Sequence, residues 1–127
     1  MERIQYSAVV LDDKSKHRLL KKLQNVIPED WEKHADHMTI NVGEIDPEFE
    51  RYLGMAVKLN VEKIGIDDKV IAVTASGFPT KSEKPHITIA VNTKMGGRPS
   101  MAKNLTNWEL MKRPFPVFGK VTEIEFK

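Results

Sequence analysis

The chain of 127 residues contains no cysteine. This absence excludes disulfide bonds, thiolate catalysis and zinc sites built on cysteine, so any nucleophile must be oxygen or nitrogen. No apolar run approaches the roughly 20 residues of a membrane span, and the opening MERIQYSAVVLDD lacks the apolar run and cleavage site of a signal peptide. We therefore expect a cytoplasmic protein with no membrane partner, folded as a single domain over residues 1–127.

Acidic and basic residues are unevenly distributed, although the net charge is only +2. Residues 28–68 carry eleven acidic and four basic side chains, whereas residues 79–113 carry seven basic and two acidic side chains. A local basic excess can attract phosphate, and an ordinary solvated surface explains it equally well.

Apolar periodicity predicts the element order β, α, β, β, β, β, α, β. A strand in IQYSAVVLD precedes an amphipathic helix in DDKSKHRLLKKLQNV that Pro28 stops. Further strands are predicted in HMTINV, AVKLNVEKIGI, KVIAVTA, HITIAV and FGKVTEIEF. A possible helical turn lies in PEFERYL, an exposed loop in GFPTKSEKP, and a second short helix over residues 101–107.

Two of the predicted strands repeat one six-residue pattern. HMTINV begins at His37 and HITIAV begins at His86, with His, Thr, Ile and Val in the same positions. Alternation along a strand directs the His and the Thr of each motif to the same face. Two repeats within one domain would place these strands side by side or facing each other across a cleft. Either arrangement brings both histidines and both threonines together.

The repeated residue types suit phosphodiester cleavage. That reaction needs one group to take a proton from the attacking oxygen and another to give a proton to the leaving oxygen. Histidine titrates near pH 6.5, so one imidazole can act as base while the other acts as acid. The hydroxyls of Thr39 and Thr88 can donate hydrogen bonds to phosphate oxygens as charge develops there.

We expect no metal ion and no other cofactor, because no carboxylate cluster accompanies the two motifs. His34 precedes His37 by three residues and could suggest a His-x-x-His metal pair. An odd offset along a strand would send these two side chains to opposite faces, which argues against such a pair.

The paired His-x-Thr motifs resemble those of the two-histidine (2H) phosphoesterase superfamily, which includes LigT-like RNA phosphodiesterases. The segments YSAVVLDDKSKHRLLKKL, HADHMTI and KPHITIAVNTKMGGRPSMAKNL are similar to the Swiss-army-knife RNA-repair-like branch. That branch is related to cyclic-phosphodiesterase domains of RNA ligases and to phage enzymes that cut cyclic oligonucleotides. The resemblance covers nearly the whole chain. It implies an α+β fold of two pseudo-symmetric halves, with antiparallel sheets forming a central cleft and helices outside.

The resemblance also implies an activity, a metal-independent phosphodiesterase acting on RNA ends that bear a 2′,3′-cyclic phosphate. Its general acid and base would be His37 and His86. A phage-type hydrolase of cyclic oligonucleotide defence signals is the alternative among enzymes, and a non-catalytic RNA-binding module is the alternative of another class. The expected partner is an RNA end, a cyclic nucleotide or a cyclic oligonucleotide, and the expected state is a monomer.

Three basic residues near the second motif are candidates for substrate binding. Arg98 lies in GGRPS, where glycines let backbone approach a ligand and a guanidinium can hold a phosphate. Lys81 and Lys84 lie in the loop before the second motif. In such a loop, ordinary solvated lysines are as common as lysines that bind phosphate.

Aromatic residues near the strands could stack on a base. Phe78 and Tyr52 are candidates for this role, and Trp108 is another. Aromatic residues beside strands belong more often to the core, by about two to one.

Overall fold

The computed structural model describes residues 3–126. The strands in this range are β1 (Ile4–Leu11), β2 (Glu32–Lys33), β3 (His37–Val42), β4 (Ala56–Ile66), β5 (Val70–Ser76), β6 (His86–Val91) and β7 (Glu109–Glu125). The helices are α1 (Asp13–Lys22) and the 3₁₀ helices Pro47–Tyr52, Thr93–Met95 and Pro99–Asn104. Every helix within residues 3–126 is too short or too polar to cross a membrane.

Six of the strands close into an antiparallel barrel. They follow the order β6-β3-β1-β7-β4-β5, and β5 pairs with β6 to complete the ring. The short β2 is an additional strand that pairs with β6. The 17-residue β7 pairs with β1 along one part and with β4 along another, so it connects the two sides of the barrel.

The barrel interior is filled by alternate residues of its strands. Met38 and Ile40 of β3 and Ile87 and Ile89 of β6 are at most 1% exposed. Helix α1 adds Leu19 to the same core. Because side chains alternate along a strand, the histidine and threonine of each motif lie on the outer face of β3 and β6. Ala90 and Val91, at the end of β6, are both buried.

Several predicted elements are confirmed. The bounds of β3, β4 and β6 coincide with HMTINV, AVKLNVEKIGI and HITIAV, while β1 and β5 differ by one residue at their ends. The final strand begins at Glu109 rather than at Phe118, and β2 was not predicted.

The two predicted helices are less accurate. Helix α1 ends at Lys22, well before Pro28, because the chain turns at Leu23 and brings this side chain to the core. Instead of a helix over residues 101–107, the structure has a 3₁₀ helix that begins at Pro99 and ends where Leu105 becomes extended.

The predicted α+β fold of the 2H type is wrong. Two pseudo-symmetric halves with a cleft between antiparallel sheets and helices outside would need two separate sheets. Instead, the pairing of β5 with β6 and of β7 with both β1 and β4 joins all six strands into one closed ring. Alternation locates strands and their buried faces, but it does not specify which strands pair.

Gly119 lies where β7 crosses β1 at close range. A Cβ atom at this position would lie 2.4 Å from the carbonyl oxygen of Val10. We predict that Gly119→Ala lowers the free energy of unfolding by about 1–3 kcal/mol, the usual cost of overpacking. Urea denaturation measures the change.

The matched control is Gly43→Asn. Gly43 has φ 77° and open space around its Cα, and Asn tolerates this left-handed conformation. The Gly43→Asn variant should lose less stability than Gly119→Ala, because Asn adopts a positive φ at a smaller cost than most side chains. If Gly119→Ala had the same free energy of unfolding as wild type, the close crossing of β1 and β7 would be contradicted.

Candidate functional site

The register between β3 and β6 brings the two His-x-Thr motifs together on the outside of the barrel. Met38 lies opposite Ile87 in an antiparallel pair, and both side chains are buried. In this register each histidine lies opposite the threonine of the other motif. We call these four residues the HxT patch: His37, Thr39, His86 and Thr88.

Extending the register of Met38 and Ile87 by one residue in each direction puts the histidines on one diagonal of the HxT patch and the threonines on the other. Diagonal neighbours on paired strands lie about 7–8 Å apart, whereas directly opposite residues lie about 5 Å apart. Of the two arrangements considered from sequence, the strands therefore lie side by side and do not face each other across a cleft.

A small pocket of about 80 Å³ opens beside the patch. The residues that line it are His34, Asp36, His37, Thr88 and Pro99. The Thr88 hydroxyl donates to the carbonyl oxygen of Pro99 at 3.4 Å, a long contact. The hydroxyl is therefore weakly held and can reorient toward a ligand.

The backbone fixes the ring of His86. Its Nδ1 lies 3.0 Å from the carbonyl oxygen of Lys84. A carbonyl oxygen can only accept, so Nδ1 carries the proton and Nε2 is left for a ligand. The same contact is compatible with a protonated imidazolium, in which both ring nitrogens donate.

His37 is more enclosed. Its ring packs against that of Tyr6, with the centroids 5.0 Å apart and the planes tilted by 33°. Burial lowers the pKa of His37 below its ordinary value, Asp36 acts to raise it, and positive charge on His86 or His34 lowers it further. His37 is therefore mainly neutral at pH 7.

A row of charged groups adjoins His37. Lys16 of α1 forms an ion pair and a hydrogen bond with Asp36. His34 lies 3.6 Å from Asp36 through Nδ1 and 2.8 Å from Glu32 through Nε2, although the second contact lacks hydrogen-bond geometry. Burial acts to raise the pKa of Asp36, but Lys16, together with positive charge on His34 and His37, holds the pKa below the ordinary value. A carboxylate therefore stays ionised beside His37.

The expected separation of His34 from His37 is wrong, because both line the same pocket. The chain from Lys33 to Met38 is two residues longer than the part of β6 that it pairs with. Ala35, within this bulge, is fully buried and has φ 61°, a strained value for a residue with a Cβ atom. The bulge breaks the alternation on which the prediction depended.

No group of three or more histidine and carboxylate side chains within residues 3–126 has the arrangement of a metal site. The His34 ring contacts the carboxylates of Glu32 and Asp36 on its own segment. The site is therefore described by its imidazoles, hydroxyls and flanking charges.

The three basic candidates lie in different surroundings. Lys84 adjoins the patch, because its carbonyl oxygen holds His86. Arg98 is exposed and immediately precedes Pro99, which lines the small pocket. Lys81 lies in ion pairs with Asp46 and Glu48, so its charge is already partnered.

The structure does not bring Phe78 and Tyr52 to the HxT patch. Their rings contact each other edge to face with centroids 5.5 Å apart, and Phe78 also contacts Phe49. Both pack against the main core. The sequence did not predict that Tyr6, Lys16 and Asp36 lie beside the site. Among these, only Asp36 gave a signal, because it directly precedes His37.

No family model matches the chain, and no curated protein sequence matches it. The similarity to the 2H phosphoesterases therefore depends on the two motifs and their neighbouring segments, and it stays a prediction.

The lowered pKa of His37 predicts a pH-dependent stability. The unfolded chain, with a histidine pKa near 6.5, binds a proton more readily than folded His37. The stability that neutral His37 contributes is complete above pH 6.5. It is lost as the pH falls through the pKa of His37 in the folded protein. Urea denaturation between pH 8 and pH 5 should show a smaller loss of stability for His37→Gln than for wild type.

His17, an exposed residue of α1, provides the matched control. His17→Gln should keep the wild-type dependence. If His37→Gln and wild type lost stability in parallel, partial burial of His37 would not lower its pKa as described here.

Proposed function

We propose that this protein is a metal-independent phosphodiesterase that acts in the cytoplasm on RNA ends bearing a 2′,3′-cyclic phosphate. One observation carries the proposal, the register of the paired strands β3 and β6, from which we infer a diagonal placement of His37 and His86. A phosphate above the centre of the HxT patch would have an imidazole on two opposite sides. In-line displacement at phosphorus needs a base and an acid in this relation.

The two histidines have different surroundings, which supports different roles. His37 is the proposed base, because its lowered pKa keeps it neutral and able to accept a proton. His86 is the proposed acid, because the Lys84 carbonyl supports its Nδ1–H while Nε2 can present a second proton. Asp36 stays ionised and stabilises the charge that His37 acquires.

The proposed reaction is a hydrolysis that needs water alone as co-reactant. His37 removes a proton from water as its oxygen bonds to phosphorus. One of the two ribose P–O bonds breaks, and His86 protonates the departing ribose oxygen. The product is a phosphomonoester, and solvent returns both histidines to their starting protonation states.

The threonines are the proposed donors to the non-bridging phosphate oxygens. Thr39 is exposed, and the Thr88 hydroxyl has only the long contact to Pro99. Hydroxyl donors aimed at developing negative charge stabilise the transition state more than the ground state. They occupy the two corners of the patch that the histidines leave open.

Single substitutions of the histidines test the two roles. His37→Ala and His86→Ala should each reduce kcat/KM on 2′,3′-cyclic nucleotides by about 10²-fold or more. A phosphodiester with a p-nitrophenolate leaving group needs no acid, so it should restore turnover to His86→Ala and not to His37→Ala. Retention of a tenth of wild-type activity by either variant on the cyclic substrate would contradict the pair.

The pH profile tests the protonation states and the absence of a metal requirement. The profile of kcat/KM should be a bell whose acidic limb lies below pH 6.5, because burial lowers the pKa of the base His37. EDTA should leave the rate unchanged, and added Mg²⁺ or Mn²⁺ should not rescue the variants. Chelator-sensitive activity, or a rate rising steadily from pH 5 to pH 10, would refute the mechanism.

A further inference from the structure

Two surface grooves adjoin the HxT patch and share Lys84. The first has a volume of about 340 Å³, and the second about 560 Å³. We call their combined surface the basic groove and define it by Lys63, Thr74, Lys84, Lys103 and Trp108.

The basic groove begins directly beside His86. Thr74 lies opposite His86 in the antiparallel pair of β5 and β6, so both side chains occupy the same face. Neighbouring strands lie about 5 Å apart. A chain of nucleotides whose end lies on the HxT patch can therefore enter the groove without crossing an intervening element.

The groove contains three cations that are unpaired within the part of the chain that the structure describes. Lys63, Lys84 and Lys103 are exposed, and none forms an ion pair within residues 3–126. Lys81 and Lys94, outside the groove, are both paired with carboxylates. Two carboxylates, of Glu62 and Glu83, also line the groove, so its cations outnumber its anions.

Trp108 presents a fixed aromatic surface in the groove. Its ring lies against Gly65, where an added Cβ atom would come within 3.0 Å of it. Its indole N–H donates to the carbonyl oxygen of Leu105 at 3.1 Å, and the side chain stays partly exposed. A rigid, half-exposed indole beside unpaired lysines is the combination that binds single-stranded nucleic acid.

We propose that the basic groove binds the unpaired RNA strand that ends in the cyclic phosphate. This inference depends on the proposed function, and it specifies the substrate as an oligonucleotide. The three lysines contact backbone phosphates, and Trp108 stacks on a base near the cleaved end. A cyclic mononucleotide would occupy the HxT patch and leave the groove empty.

Binding tests the groove without requiring turnover. The probe is a fluorescent RNA octamer with a 3′-phosphate, measured by anisotropy against salt concentration. The variant Lys63→Gln/Lys84→Gln/Lys103→Gln should bind the octamer more weakly. Each cation that contacts a phosphate of a single strand contributes roughly 0.7 to the slope of log K against log salt, so the slope of this variant should be shallower by about 2. The charge-matched control Lys14→Gln/Lys21→Gln/Lys33→Gln changes exposed lysines elsewhere and should keep the wild-type slope.

Trp108→Ala should weaken binding of the octamer about tenfold or more. Trp108 also packs against the buried Leu105, so circular dichroism must establish that the variant is folded. If Trp108→Ala is unfolded, binding by Trp108→Phe and by the lysine variants tests the groove instead. Unchanged binding by the groove lysine variant would overturn the proposal.

Turnover separates this inference from the proposed function. The variant Lys63→Gln/Lys103→Gln keeps Lys84, whose carbonyl oxygen holds His86. It should lose about threefold or more in kcat/KM on an RNA octamer with a 2′,3′-cyclic end and keep its value on a 2′,3′-cyclic mononucleotide. Equal loss on both substrates, or a wild-type preference for cyclic oligonucleotides, would overturn the groove assignment. If no substrate turned over, the proposed function would fail, and the anisotropy measurement would still decide whether the groove binds RNA.

Discussion

The candidate site depends on the burial of the inner faces of β3 and β6. Met38 and Ile87 lie opposite each other in the barrel, and burial of each such side chain contributes about 1.5–3 kcal/mol. A slip of one residue in either strand would move its buried side chains to the surface and its histidine into the core. The same burial that stabilises the barrel therefore fixes the register of the HxT patch.

Electrostatics makes two similar motifs unequal. His37 is enclosed by Tyr6, and burial lowers its pKa while Asp36 supplies a compensating negative charge. The ring of His86 contacts the backbone carbonyl oxygen of Lys84 through Nδ1. Partial burial favours a neutral His37, and the backbone contact fixes the ring of His86. These different surroundings support the different roles proposed for the two histidines.

The sequence predicted local features well and long-range pairing poorly. Alternation gave the bounds of β3 and β6 and the shared face of each His and Thr, because these depend on neighbouring residues alone. Alternation did not predict closure of the barrel, which depends on the pairing of β5 with β6. It also misplaced His34, because the bulge at Ala35 is a tertiary effect with no signal in the apolar pattern.

The central claim is that two imidazoles act on one phosphate, and NMR of the ring nitrogens tests it most directly. Uniformly ¹⁵N-labelled protein is titrated with an RNA octamer bearing a 3′-phosphate, one of the two phosphomonoesters that the proposed reaction can give. We predict that the Nε2 resonances of His37 and His86 shift together with one dissociation constant, and that Nδ1 of His86 is protonated throughout. A shift of one histidine alone, or two different dissociation constants, would contradict a shared phosphate site.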